Sequence, residues 1–187
     1  MSIEQNGANK TFARYPVSNI IIYNGVTILH YLLGGLGIIL GFDYLKLGYP
    51  LGIFYMAFAF MQMYIIMPLA VCPNCVYVRM EKGRCTSGLN VFSRKITKPG
   101  NLEDFPDRAK GLFCHNNLYM AAKAIPILAI IVALVLNFSF LLLGILLTVV
   151  ALLVFRIFVI FPRLACIHCA AKNECPNAQS MGLSEVK

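Results

Sequence analysis

Two long apolar blocks dominate the chain, roughly residues 20–71 and 118–161. A short polar turn interrupts each one. Asp43, Lys46, Gly48 and Pro50 break the first, and Asn137-Phe138-Ser139 breaks the second. A helix needs about 20 apolar residues to cross about 30 Å of hydrocarbon. The pattern therefore predicts four transmembrane helices, at about 19–42, 51–71, 118–136 and 140–161, paired as two helical hairpins. The expected fold class is an all-α integral membrane protein: one domain over residues 1–187, a four-helix transmembrane bundle with a Cys-rich loop (72–117) and tail (163–187). The stretch KPGNLEDFPD is read as ordered loop with a short helix, because cysteines and aromatics lie around it. The polar N-terminus lacks the basic start, short apolar core and small-residue site of a signal peptide, so the first helix is expected to stay in the mature protein.

Composition sharpens this picture. Hydrophobic residues make up 59% of the chain, against about 45–50% in soluble domains. The net charge of +8 could point to nucleic acid, but its placement follows the membrane pattern. The segment before the first span holds Lys10 and Arg14, the central loop holds eight Lys and Arg, and the tail holds Arg163, Lys172 and Lys187. The two opposite turns hold only Lys46. By the positive-inside rule both termini and the central loop are cytoplasmic. The expected location is the cell inner membrane, with lipid and protein subunits as partners and no nucleic acid. Tyr44 and Tyr49 fit an aromatic belt at the far interface.

The halves share a pattern. Pro68-Leu69-Ala70-Val71-Cys72-Pro73-Asn74-Cys75 and Pro162-Arg163-Leu164-Ala165-Cys166-Ile167-His168-Cys169 both read Pro-x-x-x-Cys-x-x-Cys. Gly88-Leu89 and Gly182-Leu183 follow, and every pair is 94 residues apart. We read these as two tandem hairpin repeats pointing the same way, with both cysteine groups on one face.

The chemistry lies in the cysteines. All seven, Cys72, Cys75, Cys85, Cys114, Cys166, Cys169 and Cys175, fall in the loop and tail. The cytosol keeps thiols reduced, so clustered CxxC pairs there point to metal or redox chemistry rather than structural disulfides. A CxxC turn brings two thiolates onto one ion, and two such turns complete a tetrahedral set. Soft thiolates select zinc or an iron–sulfur cluster. One arrangement uses Cys72, Cys75, Cys166 and Cys169. The other draws three cysteines from each half, with Cys114, His115 or His168 as further ligands.

Polar residues inside spans are functional candidates. His30 and Arg156 are candidate cofactor-binding groups, although Arg156 could also snorkel to the interface. Lys123 is read as a snorkelling residue. His30, Gly34, Gly37 and Gly41 share one helical face, and Gly37-x-x-x-Gly41 is a spacing that lets helices approach closely. Met56, Met61, Met63 and Met67 are read as packing.

Four spans with CxxC pairs resemble membrane thiol oxidoreductases of the vitamin K epoxide reductase type. That resemblance implies a thiol–disulfide enzyme with its cysteines on the oxidising side, whereas the charge pattern puts these cysteines in the cytoplasm. There is no nucleotide-binding Gly motif, no paired carboxylate and no Ser-His-Asp set. The reading is therefore a subunit that binds metal through its CxxC clusters and carries electrons within a redox complex, rather than a catalyst. The alternatives are a zinc-stabilised structural or assembly protein and a thiol–disulfide oxidoreductase.

Overall fold

The structure, a computed structural model, describes residues 11–183. Lys10 and Lys187, counted in the charge argument, lie outside the described residues. The described chain is all-helical, with isolated bridges but no strand. Helix α1 spans Val17–Gly41 and α2 spans Gly48–Met61, continuing as a π-helical segment Gln62–Val71. The long loop carries two short helices, α3 (Val76–Arg79) and α4 (Leu89–Ile96), then a 3-10 segment Leu102–Ala109. Helices α5 (His115–Leu136) and α6 (Phe140–Phe155) form the second hairpin, and α6 continues as a π segment Arg156–Ala165. The tail ends in α7 (Pro176–Ser180).

Four continuous helices are long and apolar enough to cross a membrane: Val17–Gly41, Gly48–Asn74, His115–Leu136 and Phe140–Ala165. The shortest, 22 residues, is about 33 Å long at 1.5 Å per residue, enough for the hydrocarbon core. Their outer faces carry bare apolar side chains such as Phe54, Val135, Phe140 and Phe158. This suits lipid and would be costly in water. The second span runs past the expected Val71, and the third starts three residues before the expected Leu118, because Cys114 caps it.

Small residues bring α1 against α5, as the glycine spacing predicts. A Cβ on Gly34 would sit 2.7 Å from Pro126 Cβ, and one on Gly41 would sit 2.6 Å from Ala133 Cβ. On the other side of α1, a Cβ on Gly52 of α2 would come within 2.9 Å of the Gly35 carbonyl. Below these contacts Ile130, Ala133, Leu142, Ile145 and Val149 close the core towards the two short turns.

The spans that carry the cysteines widen before they end. Proline has no N–H to give an α-helix, and its ring clashes with the carbonyl four residues back. Pro68 and Pro162 both lie inside π segments. There Cys72 N–H bonds to the Met67 carbonyl and Cys166 N–H to the Phe161 carbonyl, five residues back in each case. The segments Gln62–Val71 and Arg156–Ala165 stand 94 residues apart, as do Gly88 and Gly182, both left-handed with φ of 75° and 67°. Single π-helical turns often mark functional positions.

The N-terminal segment ties loop and tail together at this end. Phe12 N–H donates to the His168 carbonyl at 2.9 Å, Tyr15 N–H donates to the Arg84 carbonyl at 2.9 Å, and Arg84 N–H returns to Ala13 at 3.1 Å.

Candidate metal centre

Two helix ends and two loops converge on one cavity of about 130 Å³. Six of the seven cysteines line it: Cys72, Cys75, Cys85, Cys166, Cys169 and Cys175. The CxxC pairs leave the π segments at equivalent points, so both enter the cavity from its membrane side. Cys85 reaches it because Asn90, fully buried in α4, pins the loop. Asn90 accepts from Cys85 N–H at 3.0 Å and donates to the Tyr77 and Gly83 carbonyls at 3.1 and 3.0 Å. Cys175 arrives from the tail, just ahead of α7.

All seven cysteines are free thiols. Burial pushes the Cys75 and Cys166 thiols up to about 12 and Cys169 up to about 11. Two local groups act the other way, in the same manner in each half. The Tyr77 backbone favours the Cys75 thiolate and the Ala171 backbone favours that of Cys169. Arg108 lines the cavity from the loop side, and its positive charge favours thiolates at Cys75 and Cys166. Its guanidinium lies 5.2 Å from the Phe105 ring centre and donates to Asn116 at 3.2 Å. Asn116 in turn donates to Asn177, another wall residue, at 2.7 Å.

The remaining expected ligands stand elsewhere. Cys114 is the N-cap of α5, where its sulfur accepts the Asn117 N–H at 3.4 Å. His115 lines an adjoining cavity with Asp104, Asp107 and Arg108, and its Nδ1 lies 2.8 Å from Gln62 Nε2. His168 stacks on Phe12 with ring centres 4.4 Å apart. Neither histidine nor Cys114 lines the six-cysteine cavity.

Zinc bound at about 2.3 Å in a tetrahedron draws its sulfurs to about 3.8 Å from one another. Among the described residues no group of three or more His, Cys, Asp or Glu side chains is set to hold a single metal ion. The six thiols form a soft, sulfur-only donor set.

Within the bundle, Arg156 and Lys123 are both buried, each 1% exposed. The Lys123 expectation is corrected: its ammonium lies over the Tyr31 ring at 4.0 Å and does not reach an interface. Arg156 likewise turns inward, donating to the Tyr23 carbonyl at 3.2 Å and to the Thr27 hydroxyl. His30 Nε2 lies 3.2 Å from the Lys123 carbonyl, so it bonds to helix backbone. Tyr23, Tyr77, Phe105, Arg108 and Phe161 line the cysteine cavity and carry no sequence motif. The one available signal was the position of Tyr77 two residues after a CxxC cysteine.

No protein-family model matches the chain, and neither a curated protein nor a solved structure does.

Proposed function

We propose that the chain is a multi-pass inner-membrane protein that holds an iron–sulfur cluster at its cytoplasmic end and serves as an electron-transfer subunit of a larger redox complex. The observation that carries this reading is the convergence of six cysteines, both CxxC pairs among them, on one cavity. The two CxxC pairs, Cys72 with Cys75 and Cys166 with Cys169, are the first-choice ligands, because each pair leaves an equivalent helix end. Cys85 and Cys175 complete the ring. When bound, the cluster supplies one-electron chemistry. The protein's part is to exclude water, to donate backbone N–H groups to the sulfurs and to hold Arg108 against the negative charge.

Several observations support a tandem repeat. The π segments, their internal prolines, the cysteine pairs and the left-handed glycines all recur 94 residues on. A duplicated hairpin explains why one site forms at the seam between halves. The orientation rests on the lysine and arginine distribution.

The test is chemical analysis of the full chain purified in detergent without oxygen. Iron and acid-labile sulfide in comparable amounts, with a brown colour that bleaches on reduction, are expected. A colourless protein carrying zinc would replace this reading with a structural zinc site. Metal-free protein would remove both.

A further inference from the structure

The bundle buries two basic side chains, Arg156 and Lys123, without an acidic one. None of the eight Asp and Glu residues falls in any of the four spans. Arginine stays protonated in proteins, and a buried charge is costly unless paired. Yet Lys123 Nζ and the Tyr31 hydroxyl have no hydrogen-bond partner among the described residues, and the partners of Arg156 are uncharged: the Tyr23 carbonyl, the Thr27 hydroxyl and the Tyr119 side chain. Tyrosine faces give some compensation. The Arg156 guanidinium lies 4.2 Å from the Tyr23 ring and 5.1 Å from Phe161, and Lys123 lies 5.6 Å from Tyr119. Cation–π contacts of this kind are worth about 2 kcal/mol when desolvated, too little to offset a buried charge alone.

The position of these cations names the missing partner. Tyr23 and Phe161, on which Arg156 rests, are themselves walls of the cysteine cavity. The guanidinium and the thiols thus share Tyr23 and Phe161 as neighbours. Arg156 also opens the π segment that ends at Cys166, so cation and ligand sit on one rigid element. Arg108 faces the same cavity from the loop side.

We propose that Arg156 is the buried counter-charge of the thiolate-bound cluster, so that its charge is balanced only when the cysteine site is loaded. This rests on the metal reading above. It makes Arg156 a positioning residue that stabilises the negative loaded site and, without it, is a charge the fold must carry uncompensated. Loading and folding are then coupled through the bundle as well as through the ligands. Reduction adds negative charge to the site, so the same cation favours the reduced form.

The experiment compares native, Arg156→Met, Arg156→Lys and Lys123→Met full-length protein, reconstituted anaerobically with ferrous iron and sulfide. Cluster loss to an iron chelator, the midpoint potential and the melting temperature of the metal-free form are read for each. Arg156→Met is expected to lose its cluster at least about tenfold faster, as befits loss of one partner of a buried charge pair. Its potential should move negative, while its metal-free form should melt no lower than native. Arg156→Lys should stay near native on all three, and Lys123→Met should leave cluster release and potential near native. A merely structural Arg156 would destabilise metal-free and loaded forms alike and leave the potential in place, which would overturn the proposal. If Arg156→Met does not fold, Arg156→Gln decides by the same criteria, and native release and potential in that variant would overturn it. A native chain that takes up no iron and sulfide would sink the metal reading and this inference together.

Discussion

Replacing Cys114 separates a helix cap from a metal ligand. Its sulfur accepts the Asn117 N–H at 3.4 Å, satisfying one of the donors left open at the start of α5. Serine is among the best N-cap residues, and its shorter C–O bond suits the same acceptor role. Cys114→Ser should therefore change stability by no more than about 0.5 kcal/mol and could raise it, whereas Cys114→Ala should cost about 1 kcal/mol. Neither should alter metal content, because the side chain does not line the six-cysteine cavity. Cys166→Ser should behave in the opposite way, losing most bound iron. The assay is iron and sulfide per chain beside thermal unfolding in the same detergent. Cys114→Ser protein that loses as much iron as Cys166→Ser would place Cys114 among the ligands and refute the division drawn here.

Further outcomes follow from the packing, the thiols and the topology. Gly34→Ala puts a methyl 2.7 Å from the Pro126 ring and 3.1 Å from the Tyr55 hydroxyl, and should cost about 1–3 kcal/mol as an overpacked contact. Gly144→Ala, with open space around it, should be near neutral, and equal melting temperatures for the two would count against the close α1–α5 approach. Burial raises the folded pKa of Cys75, Cys166 and Cys169 to about 11–12. These groups therefore favour the metal-free fold below the ordinary thiol pKa, about 8.5, and that contribution is lost as pH rises through the folded values. Metal-free protein should thus keep its melting temperature up to about pH 8.5 and fall above it, and a loss beginning near neutrality would contradict the buried thiol environment. In metal-depleted cells or vesicles, impermeant thiol reagents should reach Cys85 and Cys175 only from the cytoplasmic side, and labelling from outside would reverse the orientation.

Much of the architecture was legible because the bilayer imposes a coarse rule. Apolar runs of about 20 residues, broken by Pro, Gly and Asn turns, can hardly be anything but spans. The cysteine end was legible for a similar reason, since in-register CxxC pairs at two helix ends must meet if the hairpins pack side by side. The cavity walls were not legible. Tyr23, Phe105 and Phe161 reach it from three separate elements, and no local pattern distinguishes them from other aromatics in apolar helices. Lys123 illustrates a different limit: its position near a span end fits snorkelling, and only the Tyr31 ring of α1 and the Tyr119 ring one turn earlier in α5 give its amine an inward alternative. Cys114 and His115 sit where an extended loop would have offered ligands, but the helix begins there and uses the sulfur as a cap. The buried pairing of His115 with Gln62 is likewise a consequence of helix packing, invisible along the chain.

The central claim, one iron–sulfur cluster held by cysteines of both halves, is tested most directly by electron paramagnetic resonance of the anaerobic, dithionite-reduced full chain. The account predicts a single cluster signal that disappears in both Cys72→Ser and Cys166→Ser, one from each half, and persists in Cys114→Ser. A signal that survives loss of either half's CxxC cysteine, or protein that loads iron and sulfide yet gives two independent signals each abolished by one half alone, would contradict it.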